Sequence, residues 1–423
     1  MGIMSFIAEY ICSPLLTSVM TSCALFFFFY LKIYSLKRIK RDFGLLKSGG
    51  GSGGISPAAS LSVALAGTLG VGNIAGVAVA VSVGGAGAVF WMTVSALLGA
   101  VLKYCEAYLS VKTRNTGTGS GGAPVYAERI SGRRTGAVYA VLCVVMSFFS
   151  GSFIQMNAAA SSLRITYGVP RIVSGCVFAA LCLVIALGGI KRVSAFTSAA
   201  MPVFCAVFAA LSLIAVSMKL NEVPSVAVRI MKEAFGIRPV SGGFCGAVLA
   251  AGLRQGMTKG VFSHEAGCGT SSFSHAASST ESPGAQGIIG VLEVVTDTIV
   301  FGSLTALVML TAPDTGQSYD GASLAISAYS YFFGAAASHI LTVLTVFFAF
   351  ATVLCWAYYG CEAISYLDRG KGLSKTYLIL YCSSLVAGAL FSAAFIWQAT
   401  DILSSLMLTL NCAVLLRGRK LIK

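Results

Sequence analysis

Charge is what this chain has least of. Only 10% of its 423 residues are Asp, Glu, Lys or Arg, against 57% apolar or aromatic, whereas soluble domains carry about 25% charged residues. So few charges cannot cover the surface of a soluble protein of this length. That excludes an ordinary cytosolic enzyme, a coiled coil and a disordered chain. Acidic residues are the scarcer kind, 15 against 29 Lys and Arg, yet no basic run is interleaved with aromatic residues. A nucleic-acid partner is therefore not expected. No Cys-x-x-Cys spacing occurs among the 13 cysteines, and most of them, such as Cys143, Cys182, Cys355 and Cys412, lie inside apolar stretches. They read as small hydrophobes, not as a disulfide framework, a zinc site or a redox centre. The N-terminus has no basic stretch before its first apolar run and carries Glu9 there, which argues against a cleaved signal peptide. Phe6 stands where a myristoylation pattern needs Ser or Thr.

What the chain does have is long apolar runs, and its mean hydropathy is +0.85. A helix needs about 20 apolar residues to cross a bilayer. Eleven such runs fall near 11–31, 60–82, 87–111, 137–160, 172–190, 194–218, 244–262, 286–311, 337–360, 376–397 and 400–416. An all-α polytopic membrane protein follows, with the lipid bilayer as its surroundings. Cytoplasmic loops collect Lys and Arg. With the N-terminus outside, the inner loops hold 20 of these residues and the outer loops six. The expected orientation is therefore an external N-terminus and a cytoplasmic C-terminus.

The organisation expected is an accessory helix with a basic cytoplasmic segment over 1–48 and a Gly/Ser linker over 49–59. A first five-helix repeat over 60–218 follows, then an external amphipathic connection over 219–243. A second five-helix repeat covers 244–416, and a basic tail 417–423. Within the connection, Val226, Ile230, Met231, Ala234 and Phe235 are at helical spacing. Five spans per half force the two halves into opposite orientations. Each half opens with a glycine-rich span: Gly67, Gly70, Gly72 and Gly76 in one, Gly242, Gly243, Gly246, Gly252, Gly256 and Gly260 in the other. Small residues also allow close helix packing. Broken helices at matching positions of inverted repeats, however, mark the binding site of secondary transporters.

Polar residues inside spans are the candidates for chemistry. In AGTLGVGNIAGVAVA (66–80), unwinding would free backbone N–H groups for a carboxylate and carbonyls for a cation. Glu293 and Asp297, four residues apart, are candidates for cation binding, for proton transfer, or for pairing with Arg254 or Lys259. Glu106 with Lys103 reads as a snorkelling structural pair near a span end. The amides of Gln155 and Asn157 either bond across helices or meet substrate. Thr352, one turn before Trp356, offers a hydroxyl oxygen. Glu265 follows His264, but Cys268 stands where a zincin needs its second His and His275 lies further on. A helix cap and a tight turn are expected there, not a transition-metal site.

These segments resemble the alanine or glycine:cation symporter family of bacteria and archaea. The likeness rests on GTLGVGNIAGVAVA, GGAGAVFWM, ALLGAVLKYCEAYLSVKTR, GGAPVYAERI, FIQMNAAASSL, GVFSHEAGCGTSSFSHAA, GVLEVVTDTIVFGSLTALVMLT and FFAFATVLCWAYYG, in order from about 60 to 362. The resemblance implies a leucine-transporter-type fold with broken first and sixth core helices, in a multi-pass plasma-membrane protein. It implies sodium-coupled uptake of a small neutral amino acid, alanine or glycine, with no cofactor and no enzymatic step. By the same resemblance, Val71, Gly72, Asn73, Gln155 and Trp356 would meet the substrate. Ala66, Leu69 and Phe348 would offer carbonyls, and Thr352 its hydroxyl, to sodium. The chain departs from the family pattern where Val71, Ala351 and His264 stand in place of Thr, Ser and Asn. The loss of the hydroxyl at Ala351 implies weaker sodium binding and leaves proton coupling through Glu293 or Asp297 as the alternative. A receptor that binds without flux is a further alternative. A channel would need a continuous polar pore, and an enzyme a nucleophile–base or metal constellation.

Overall fold

The computed structural model describes residues 2–31, 42, 44, 54–115, 121–236, 244–313, 321–369 and 372–422. The expected basic segment 32–48 and most of the Gly/Ser stretch lie outside these residues, apart from positions 42 and 44. Among the described residues every long element is a helix, as a lipid environment demands of a backbone with no water to bond. Helix α1 (Ile3–Leu31) comes first. The first half of the core follows as α2 (Pro57–Thr68), α3 (Ala75–Gly84), α4 (Gly87–Thr113), the short α5 (Ala123–Ser131), α6 (Arg133–Tyr167), α7 (Arg171–Ala186) and α8 (Gly189–Met218). After α9 (Val223–Ala234) come α10 (Phe244–His264), α11 (Ser272–Ala276), α12 (Pro283–Thr311), α13 (Gly321–Phe333), α14 (Ala335–Asp368), α15 (Leu373–Gly388) and α16 (Ala393–Arg417). Among the described residues the order is one accessory helix followed by five spans and five spans, the first span of each half being broken; seven helices, and the bent α2–α3 pair as an eighth, are long and apolar enough to cross a membrane by length and composition alone.

Helix α2 is started by Pro57 at its first turn and by the Ser56 side chain, which accepts the Ala59 N–H at 3.1 Å. It stops at Thr68 and the chain resumes as α3 after a single tight turn over Val71–Asn73, the axes bending by 58°. The second break is not where the glycines are densest. Helix α10 runs unbroken to His264, and the break covers 265–271, where Glu265, Gly267 and Gly269 have φ of 49°, 89° and 79°. Gly252, Gly256 and Gly260 instead let α10 lie against α4. A Cβ on Gly256 would fall 2.4 Å from the Ala88 carbonyl, and one on Gly260 2.8 Å from Ser95. At these three positions small-residue packing prevails over unwinding.

Other departures have equally local causes. The run read as 376–397 is divided at 389–392, and the last helix begins at Ala393. The connection does form the amphipathic α9, but its buried face carries Val226, Glu233 and Ala234, while Met231 and Phe235 are exposed. Glu233 is drawn in because its carboxylate accepts the Ala86 N–H at 2.7 Å at the start of α4. Ile55, at the end of the presumed linker, is pinned by a parallel bridge. Its N–H donates to Ala277 O (2.9 Å), and its carbonyl accepts the Ser279 N–H (2.7 Å).

Among the described residues three spans carry wide helical turns of the π type, over Ile7–Cys12 in α1, Ser147–Phe153 in α6 and Val295–Gly302 in α12. The last two lie beside the polar residues discussed next, which is where such bulges often occur.

Candidate functional site

At the first break the Val71 N–H, left without a helical acceptor, donates to Gln155 Oε1 at 3.1 Å. Gln155 is held by the π turn just before it, since its Nε2 donates to Ser150 O at 3.1 Å. Gly70 is required here because a Cβ would fall 2.6 Å from Thr352 Oγ1 and 2.7 Å from Gln155 Oε1. The Thr352 hydroxyl lies 2.8 Å from Ala66 O and 3.0 Å from Phe348 O. Two of the three carbonyls expected to face an ion therefore converge on the expected hydroxyl. The third belongs to Leu69, which ends α2 at φ −71° and ψ 54°. Trp356, one turn after Thr352, is fully buried over Gly151, and its indole Nε1 has no hydrogen-bond partner among the described residues. Gly72 lies under the Phe262 ring, whose nearest atom would be 3.2 Å from an added Cβ. Asn157 stands apart from this group, donating to Phe391 O at 2.7 Å across to the α15–α16 turn.

Asn73 turns to a different partner. Its Nδ2 donates to Asp297 Oδ1 at 2.6 Å. Ser263 Oγ lies 2.7 Å from Asp297 Oδ2 and 3.2 Å from Asn73 Oδ1, and Thr298 Oγ1 donates to Asp297 Oδ2 at 2.7 Å. Asp297 is fully buried, has only neutral donors around it, and makes no ion pair among the described residues. Buried carboxylates normally find a cation or give up their charge.

Glu293 has a cation of its own. Lys103 Nζ donates to its Oε1 at 3.1 Å, both side chains being wholly buried. Its Oε2 lies 2.9 Å from His275 Nε2 and 3.3 Å from Ser271 Oγ. Gln286 Nε2 can only donate, and it meets His275 Nδ1 at 2.7 Å. That assigns the ring proton to Nε2, facing Glu293. The sequence reading of Lys103 as a snorkelling partner of Glu106 is therefore corrected. Its ammonium is consumed by Glu293, and Glu106 instead accepts from Asn411 Nδ2 at 2.7 Å. Nor do the other two basic residues reach Glu293: Arg254 pairs with Glu9 at 3.6 Å and Lys259 with Asp401 at 2.9 Å.

The second break is tied by its neighbours. His264 Nδ1 accepts the Ala266 N–H at 3.0 Å, which fixes the turn after the helix without capping its last carbonyls, and its Nε2 meets Ser95 Oγ at 3.0 Å. Asn411 Nδ2 and Tyr139 OH take up the carbonyls of Gly267 and Cys268 at 2.9 and 2.6 Å. Thr270 Oγ1 donates to Glu265 Oε2 at 2.5 Å. Ser263, Thr298 and Phe262 are the residues of this region that sequence reasoning passed over. In GVFSHEAG the ionisable His264 and Glu265 stand out, and nothing in the residue pattern marks Phe262 or Ser263.

The sequence profile described as the "Sodium:alanine symporter family" matches residues 1–422. The chain belongs to this family. It is 34% identical to an uncharacterized transporter of Haemophilus influenzae, over 100% of this chain and 94% of the relative. It is 33% identical to the sodium/alanine symporter AgcS of Methanococcus maripaludis, over 92% and 87% of the two chains. With the probable sodium/glutamine symporter GlnT of Bacillus subtilis it shares 29%, over 94% and 84%. Among solved structures, MhsT in complex with L-phenylalanine superposes with a TM-score of 0.63 at 13% identity, covering 86% of this chain and 89% of that one. Mhp1, a nucleobase-cation-symport-1 family transporter, does so with 0.53 at 14%, covering 85% and 76%. The fold is the leucine-transporter type, and the protein is a cation-coupled membrane transporter, not an enzyme.

Proposed function

We propose that this symporter carries a small neutral amino acid, alanine or glycine, into the cell together with sodium by alternating access. The observation that carries the reading is the Val71 N–H at the first break, held only by the side-chain carbonyl of Gln155. A substrate carboxylate takes the N–H groups of Val71 and Gly72 in place of that amide oxygen, with Gln155 and Trp356 lining the site and Asn73 toward the amine. Sodium takes the carbonyls of Ala66, Leu69 and Phe348 and the Thr352 hydroxyl, a set of hard oxygens suited to a hard cation. The excess of Lys and Arg on one side supports an N-terminus outside and a C-terminus in the cytoplasm of a bacterial or archaeal cell. The six-part division of the chain set out above belongs to the same proposal.

Proton coupling is the second reading, and one observation narrows it. Glu293 already has Lys103, whereas Asp297 has no cation and touches Asn73 beside the first break. If protons drive uptake, Asp297 is the carboxylate that carries them. Purified protein in liposomes, given labelled alanine under a sodium gradient or a pH gradient alone, separates the two. Sodium-driven accumulation is expected. Accumulation on a pH gradient without sodium, lost in Asp297→Asn, would replace it. Saturable binding with no accumulation under either gradient would make the chain a receptor.

A further inference from the structure

Above the first break, toward the end of the bundle that holds the α3–α4 turn, the way to Gly72 is closed by two aromatic rings. Phe262 of α10 and Trp397 of α16 meet edge to face, 4.6 Å between centroids, over Gly72 and Gly76. Beyond them Lys259 Nζ lies 4.4 Å from the Trp397 ring and bonds both oxygens of Asp401 at 3.0 and 2.9 Å. Every one of these contacts joins α10 to α16, so opening the path requires those two helices to part.

The accessory helix α1 touches both of them at this level. Its π turn over Ile7–Cys12 turns Glu9 and Tyr10 to Arg254 of α10, with 3.6 Å between the charged atoms and 5.7 Å from the guanidinium to the Tyr10 ring. One turn on, Ser13 Oγ and Thr258 Oγ1 are 2.8 Å apart in a buried hydroxyl pair. On its other side the turn leaves the Cys12 carbonyl to accept from Ser405 Oγ of α16 at 2.9 Å. Lower down, Cys23 meets Cys412 O. Its ties to α16 thus run along the helix, whereas the side-chain contacts named on α10 cluster on Arg254 and Thr258. When α10 leaves α16, these are the contacts that break.

We propose that α1 is a strut that holds the outer half of α10 against α16, and that Glu9–Arg254 and Ser13–Thr258 set how readily the aromatic lid opens. The inference rests on the alternating-access reading above, but its test does not need the substrate. A cysteine placed at Ile154, which packs with Phe262 and Ile396 under the lid, reports lid opening through its rate of reaction with a membrane-impermeant maleimide. Peptide mass spectrometry reads position 154 separately from the native cysteines. Arg254→Gln and Ser13→Ala are each expected to speed labelling about two- to five-fold, the worth of a partly exposed ion pair or one hydrogen bond. The exchanged pair Glu9→Arg with Arg254→Glu is expected to return the rate to that of the parent. Unchanged labelling in both single variants, at unchanged thermal stability, would overturn the strut. So would failure of the exchanged pair to restore the rate when it is as stable as the parent. If the parent instead labels normally but accumulates no amino acid, the transport reading fails and the strut stands.

Discussion

The hydroxyl of Thr352 sits 2.8 Å from the carbonyl of Ala66, across the gap between α14 and the end of α2. It thereby stands between the two halves of the core, at the point where the proposed sodium site would pull them together. A single hydroxyl proton cannot serve two carbonyls at once, and Phe348 O is also within 3.0 Å. A cation there would turn the oxygen's lone pairs inward and satisfy both carbonyls. Ala351 offers no side-chain oxygen to such a cation. Thr352→Ala is therefore expected to abolish most sodium-dependent uptake, and Ala351→Ser to lower the sodium concentration needed. A gain or loss of one ligand oxygen is taken as about 1.5–3 kcal/mol, or about 10–150-fold in affinity, by analogy with hydrogen bonds to charged groups. Uptake titrated against sodium at fixed alanine checks both, and an Ala351→Ser curve lying on the parent's would remove position 351 from the site.

Gln155 is expected to act as a placeholder on the Val71 N–H. Gln155→Ala frees that N–H but removes the amide that lines the site beside the bound carboxylate, and should on balance weaken substrate binding about 5–30-fold with folding intact. Gln155→Glu is the sharper variant. Its carboxylate offers the N–H the same group that the substrate would bring, and should close the site against alanine altogether. Binding measured by calorimetry, with thermal unfolding as the folding control, distinguishes the two. Parent-like affinity in Gln155→Glu would mean that the substrate does not use this N–H.

Much of the architecture was legible because a bilayer leaves helices few alternatives. Span-length apolar runs need no tertiary information. The first break was also legible, since four glycines within ten residues, with polar Thr68 and Asn73 among them, weaken the helix there. The second break was misplaced because glycine spacing alone does not separate a packing face from an unwound one. What decided it was Ser95 and Ala88 on α4, far away in sequence. The same blindness affected the charges. Nothing local distinguishes Glu106, three residues from Lys103, from Glu293 on another helix. Glu293 nevertheless takes the lysine, because α12 packs on α4 at that height. The π turns beside Gln155 and Asp297 left no mark in the residue pattern.

That pairing gives the two carboxylates different fates on mutation. Lys103→Ala leaves Glu293 buried without its cation and should cost about 3–5 kcal/mol, seen as a lowered unfolding midpoint or lost expression. Replacing both, as Lys103→Met with Glu293→Gln, should recover most of that stability. Asp297→Asn removes a charge that has no partner ion, and should leave the unfolding midpoint close to the parent's while changing ion dependence. If Asp297→Asn proves as destabilising as Lys103→Ala, Asp297 is structural glue and not part of coupling.

The opposite end of the molecule is closed by backbone and by one arginine. Gly54, at φ 84°, brings Ile55 against 277–279, and the two bridge bonds tie the start of α2 to the chain that leaves α11. Arg114, at the end of α4, spreads its guanidinium over three carbonyls of that same stretch, those of Ala276, Ser278 and Thr280. The ends of both broken helices on this side therefore share one clamp, and in the proposed orientation, which makes this the cytoplasmic side, release would require it to open. Arg114→Ala takes away charge-assisted bonds worth about 1.5–3 kcal/mol each. The loss of even one should raise the open fraction about ten-fold. A cysteine at Ser274, buried behind the clamp, would then react faster with a reagent supplied from the cytoplasmic side in inside-out vesicles. Concentrative uptake should fall, because an inner path that opens without its cargo lets accumulated substrate leave. Arg114→Lys keeps the charge but not the fork that spans three carbonyls, and should behave more like Arg114→Ala than like the parent. Parent-like labelling at position 274 in both variants would mean that the clamp holds shape only and does not gate.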